Sequence, residues 1–166
     1  MCHGRLRMNF NLVNVGIADL VVAREPDILR TVLGSCVGIC LYDSEKKVGG
    51  LAHIMLPVMS DTASNRKKYA DTAIPMLLEE MEKQGAQRSR ITAKISGGAA
   101  MFKMSANSMM SEIGRNNIKK VREILESMGI KILGEDVGGD YGRTIDFYTE
   151  NGQVKVKSLG REEKIF

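Results

Sequence analysis

The chain has 166 residues, 43% hydrophobic and 27% charged, with 17 Gly and 3 Pro. That is enough apolar content for one domain with a sizeable core, and it is not the composition of a disordered chain. Twenty-four basic and 20 acidic side chains leave a net charge of +4, and most basic residues are interleaved with acids, which disfavours nucleic-acid binding and leaves an acidic protein partner open.

Residues 1–11 read as a loose N-terminal extension with no apolar signal-peptide core, and no stretch is long enough to cross a bilayer as a helix. Three Cys cannot all pair within one chain, so a cytoplasmic, reducing location without membrane insertion is expected. Val13 to Val22 is a strand-like run broken at Gly16. Residues 31–43, TVLGSCVGICLYD, are rich in β-formers from Val37 onward. Ser44 to Lys47 is a polar turn, and Val48 to Leu56 a second apolar strand stopped by Pro57. A polar loop covers 58–68.

The spacing of Ile74, Leu77, Leu78 and Met81 predicts a helix over about 69–84, with Gly85 as its stop. Pro75 argues for a start near Asp71 or Thr72, because proline is tolerated in a first turn. Residues 91–95 alternate as a half-buried strand that enters a glycine loop, Ser96 to Gly98. A second helix is predicted over about 116–128, with Ile118, Val121, Leu125 and Met128 inward and Asn116 and Asn117 in its N-cap region. Residues 130–137 form another strand and Gly138 to Gly142 a turn. Residues 144–148 and 154–159 form a hairpin around Asn151-Gly152. The tail, 160–166, is charged and expected to fray.

Chemistry concentrates on the hairpin of residues 36–56. If Asp43 and Val48 flank a four-residue turn, paired residue numbers sum to 91, and Cys36 lies diagonal to His53. A sum of 89 places them directly opposite. Either odd register puts both on one face with Cβ atoms roughly 5–8 Å apart, and an even one separates them. A thiolate is a nucleophile, and a neighbouring imidazole lowers the thiol pKa and later protonates a leaving group. Backbone N–H groups of Ser35 and Cys36 are candidates for an oxyanion hole. The bland alternative stays open: Cys36 and Cys40 also suit small buried hydrophobes, and His53 a core histidine.

Other features carry less. The Gly97-Gly98 loop lacks the Lys-Ser/Thr of a phosphate loop and lines an active-site rim or permits a tight turn. Met101, Met104, Met109 and Met110 make an adaptable contact surface or pack a loop. A metal site of Cys2, Cys36, Cys40 and His53 is disfavoured by spacing, and no cofactor is expected.

The blocks TVLGSCVGICLYD (31–43), GLAHIMLP (50–57), KYADTAIP (68–75), KISGGAAMF (94–102) and IGRNN (113–117), with the Gly138-Gly139 and Gly142-Arg143 turn, closely resemble the chemoreceptor glutamine deamidase family, CheD. The resemblance covers about residues 12–158. It implies an α/β layered sandwich of mixed and antiparallel β-strands flanked by helices, similar to the cysteine deamidase domain of cytotoxic necrotizing toxins. The deamidase domain would be single and span 12–159. The resemblance also implies hydrolysis of glutamine side chains on methyl-accepting chemotaxis receptors, glutamate methylesterase activity in some members, binding to a CheC-type phosphatase, and association with chemoreceptor arrays. By position, the family nucleophile maps to Cys36, its histidine to His53 and its threonine to Thr31. Gly97, Gly98, Met101 and Phe102 are rim candidates. The rival reading is an adaptor that regulates the phosphatase and receptors without catalysis.

Overall fold

Every residue of Val37–Asp43 (β4) and Val48–Ile54 (β5) is buried. A strand pair reads this way when its sheet is covered on both faces. In the computed structural model, which describes residues 10–60, 65–101 and 109–166, β4 and β5 lie in a five-stranded sheet. Its order is β2-β5-β4-β6-β7, with β2 at Asp19–Arg24, β6 at Thr92–Gly97 and β7 at Lys131–Val137. One face carries helices α1 (Ala70–Lys83) and α2 (Met109–Ser127). The apolar residues between include Ile39, Ile54, Leu77, Leu78, Val121 and Leu125.

The other face packs on a second five-stranded sheet, β1-β3-β8-β9-β10. Its strands are Leu12–Asn14, Ile28–Leu33, Arg143–Tyr148, Val154–Lys157 and Lys164–Ile165. Leu29, Leu33, Ile145 and Phe147 meet Cys40 and Leu51 in this second core. The layers run helices, mixed sheet, mixed sheet, as expected of an α/β sandwich. Among the described residues, no helix is long and apolar enough to cross a membrane.

The β4–β5 register is set by its turn. Val37 pairs with Ile54 and Asp43 with Val48, the register in which paired numbers sum to 91. Asp43 Oδ1 accepts the N–H groups of Glu45 (3.0 Å) and Lys46 (3.2 Å), closing an Asx turn. The same carboxylate is held by Arg90 at 3.0 and 2.8 Å and by the Gln87 N–H at 2.9 Å. Burial alone would raise its pKa, but these donors hold it down at about 2, so the turn keeps its charge at neutral pH.

One strand was not expected from the sequence, and three expectations are corrected. Ile28–Leu33 is a full strand, with Leu29, Thr31 and Leu33 inward; its inward face is set by pairing with β8, which no local signal announces. Helix α1 begins at Ala70, so Pro75 lies past the first turn. The lost hydrogen bond and ring clash cost about 3 kcal/mol. Burying Ile74, Leu77, Leu78 and Met81 completely returns about 1.5–3 kcal/mol each, and packing wins. Helix α2 starts at Met109, so Asn116 and Asn117 lie within it rather than at its cap. The tail does not fray: Lys164–Ile165 pairs with β9, and Phe166 exchanges backbone hydrogen bonds with Val154 at 2.8 and 3.0 Å.

Candidate active site

Strand alternation places Cys36 and His53 on the same face, the one toward the second sheet. His53 pairs with Gly38 on β4, and Cys36 lies two residues before Gly38, in a bend just outside the ladder. Extending the register by one residue sets Cys36 opposite Met55 and makes it a diagonal neighbour of His53. Cys36 is half-buried and packs against the core between the sheets, whereas Cys40, two positions beyond Gly38, is 2% exposed within it.

The second sheet supplies the third group. Thr31 faces inward from β3, and its Oγ1 lies 2.7 Å from His53 Nδ1 and 2.7 Å from the Val15 carbonyl. A carbonyl only accepts, so the threonine hydroxyl gives its proton to Val15 and accepts the Nδ1–H of His53. This chain fixes the imidazole tautomer and leaves Nε2 with its lone pair. Nε2 is buried and, among the described residues, has no hydrogen-bond partner, so its lone pair is open to a proton.

Burial sets the protonation of the pair. It pushes the Cys36 thiol up and holds the His53 imidazole down at about 4. Here the structure departs from the expectation that the imidazole would lower the thiol pKa: both groups are desolvated, and desolvation favours neutral forms. The resting pair at neutral pH is thiol and neutral imidazole. Burial also pushes Cys40 strongly upward, which leaves it unreactive.

The Cys36 bend hangs from its carbonyls. Gly34 O accepts from the Ala99 N–H at 2.9 Å, and Cys36 O from the Gly98 N–H at 2.8 Å. Gly97 has φ +102°, and a Cβ there would fall 2.3 Å from Cys36 O; only glycine allows this approach. Gly97 and Gly98 are both buried and support the bend, and Gly98 also lines a cavity with Ala100, Ile118 and Val137. Met101 is 41% exposed and covers Gly34. Phe102 and Met104, Cys2 and the first nine residues, and the side chains of Met109 and Met110 lie outside the described residues.

Asn117 was misassigned from sequence. It is fully buried, and its Nδ2 donates to Ser35 O at 3.1 Å and to Met55 O at 2.9 Å. It thereby ties α2 to the Cys36 bend and to the end of β5. A signal existed: Asn117 continues the inward stripe of Val121 and Leu125 backward by helical spacing, as a polar side chain on an apolar face.

Comparison with known proteins places the chain in a family. The family model described as CheD chemotactic sensory transduction matches residues 55–158. A probable chemoreceptor glutamine deamidase CheD of Clostridium novyi (strain NT) is 54% identical over 156 residues, covering 92% of this chain and 96% of that one. Its counterpart in Caldanaerobacter subterraneus subsp. tengcongensis is 48% identical over 160 residues, covering 95% and 99%. Among solved structures, the Bacillus licheniformis hypothetical protein YfiH aligns over 78% of this chain and 63% of its own, at 13% identity and a TM-score of 0.47. The Neisseria meningitidis protein NMB0706 aligns over 78% and 62%, at 10% identity and 0.46. With half of its residues shared along nearly the whole length of such relatives, the chain belongs to the CheD family.

Proposed function

We propose that this chain is a chemoreceptor glutamine deamidase, a cysteine hydrolase that converts glutamine side chains of methyl-accepting chemotaxis receptors to glutamate and releases ammonia. The names of its relatives support the substrate. The observation that carries the chemistry is the Thr31–His53 hydrogen bond, which leaves Nε2 unprotonated and unpartnered on the face that His53 shares with Cys36.

As the substrate approaches, His53 Nε2 takes the Cys36 proton while Sγ bonds to the glutamine Cδ. The carbonyl π electrons move to oxygen, and this oxyanion is met by the N–H groups of Ser35 and Cys36. When the oxyanion collapses, the C–N bond breaks, His53 Nε2–H protonates the departing nitrogen, and ammonia leaves a glutamyl thioester. Water then gives a proton to Nε2 and its oxygen to Cδ. The C–S bond breaks, and the thiol recovers its proton from His53. Thr31 holds the ring in one tautomer throughout. The same sequence with methanol as the leaving group would hydrolyse a glutamate methyl ester.

The test is mass spectrometry of a receptor cytoplasmic domain incubated with the protein, seeking a gain of about one dalton per Gln-to-Glu conversion. Cys36→Ala and His53→Ala should abolish it; substantial turnover by Cys36→Ala sinks the mechanism. Family membership also supports binding to a CheC-type phosphatase and residence at receptor arrays, with residues 12–159 as one deamidase domain. A pull-down with the phosphatase, repeated with Cys36→Ala, separates binding from catalysis.

A further inference from the structure

We infer that Asn117 is a positioning residue that aims the Cys36 N–H, the donor that receives the substrate oxyanion; the inference rests on the deamidase reading above. A trans peptide unit is planar, with its C=O and the following N–H on opposite sides. Whatever grips the Ser35 carbonyl therefore sets the direction of the Cys36 N–H. Asn117 Nδ2 grips it at 3.1 Å from the helix layer, so the Cys36 N–H is turned away from that layer, toward the side of the sheet that carries the Cys36 and His53 side chains.

Two further observations point the same way. The Gly98 N–H donates to Cys36 O at 2.8 Å, and an antiparallel pair would return a bond from the Cys36 N–H; among the described residues no such return bond is made. Among the described residues, the Cys36 N–H thus has no backbone acceptor where a strand residue would have one. Moreover, Asn117 meets two carbonyls, Ser35 O and Met55 O, with its NH2 edge. This fixes the orientation of its amide and leaves its buried Oδ1 without a partner among the described residues. An apolar residue would fill that place on the α2 stripe without an orphaned acceptor. Close packing makes the grip stiff: a Cβ at Gly114 would fall 2.4 Å from Gly98 O, and one at Gly98 would fall 2.4 Å from Ile118 Cδ1.

The test compares Asn117→Ala and the same-shaped Asn117→Asp, whose carboxylate cannot donate to either carbonyl, with the wild-type full-length chain. On a receptor cytoplasmic fragment, kcat should fall at least tenfold, short of the roughly 10²–10³-fold loss of a whole oxyanion donor, while KM stays within threefold. Alkylation of Cys36 by iodoacetamide needs the thiol but no oxyanion hole, and should stay within threefold of wild type. A parallel loss of alkylation and turnover assigns Asn117 a general structural role and overturns the proposal, as does full kcat in a folded variant. If wild type itself releases no ammonia, the deamidase reading fails instead. The orientation claim then stands or falls on the 15N–1H resonance of Cys36: a shift in Asn117→Asp supports it, and an unmoved resonance overturns it.

Discussion

Replacing Thr31 by valine keeps the shape of the side chain and removes only the hydroxyl that joins the two sheets. Thr31 and His53 are 3% and 4% exposed, so water does not replace what is lost. The Val15 carbonyl loses its donor and the His53 Nδ1–H its acceptor, both at 2.7 Å. At about 1–3 kcal/mol for each of the two unpartnered buried groups, the variant should lose about 2–6 kcal/mol of stability. For a chain of this size that lowers Tm by about 4–24 °C. Catalysis should suffer more than stability: with Nδ1 unheld, the imidazole can place its proton on Nε2, the atom that accepts the thiol proton in the proposed mechanism. The expected loss in kcat is about 10²–10⁴-fold, the full worth of acid–base assistance. Thr31→Ser retains both hydrogen bonds, lacks one buried methyl worth about 1 kcal/mol, and should keep most of its activity. The assay is ammonia release from a receptor cytoplasmic fragment below the Tm of each variant. A folded Thr31→Val with kcat within threefold of wild type refutes the tautomer argument.

With His53 held down at about 4 and Cys36 pushed up, the reactive pair keeps one protonation state through neutrality, and kcat/KM should be flat from about pH 5.5 to 8; an acidic limb at 6.5 contradicts the buried neutral imidazole. Between pH 6.5 and 4 the unfolded chain binds more protons at this residue than the folded one. Its contribution of about 3 kcal/mol is therefore present above 6.5 and lost as pH falls through 4, an acid destabilisation that denaturant titrations should show and His53→Gln should weaken. Cys40→Ala should lose about 1–2 kcal/mol through its cavity and keep full turnover, and peptide mapping after iodoacetamide treatment should find Cys36 modified and Cys40 untouched. Gly97→Ala puts a Cβ against Cys36 O at a φ of +102°; it should cost at least about 2 kcal/mol and displace the Cys36 bend, so wild-type turnover in this variant would show that the bend does not depend on that contact.

Much of the site was legible before any tertiary structure. Alternation of side chains and the length of the Asp43–Val48 turn place Cys36 and His53 on one face, because both are local properties of a hairpin and the register follows from the turn chemistry. The periods of both helices were readable for the same reason. Their starts were not: the gain from burying an apolar face outweighs proline's penalty at Pro75, and α2 runs back over Asn116 and Asn117 to pack Gly114 on the Gly98–Ala99 backbone. What only the tertiary structure decided is who holds the pair. Thr31 meets His53 across 22 residues of chain, and Asn117 meets Ser35 across 82; such contacts depend on how sheet stacks on sheet and helix on sheet. The protonation of Cys36 and His53 belongs to the same class. Sequence supplies the two groups and their common face, and burial between layers makes them a neutral thiol and a neutral imidazole.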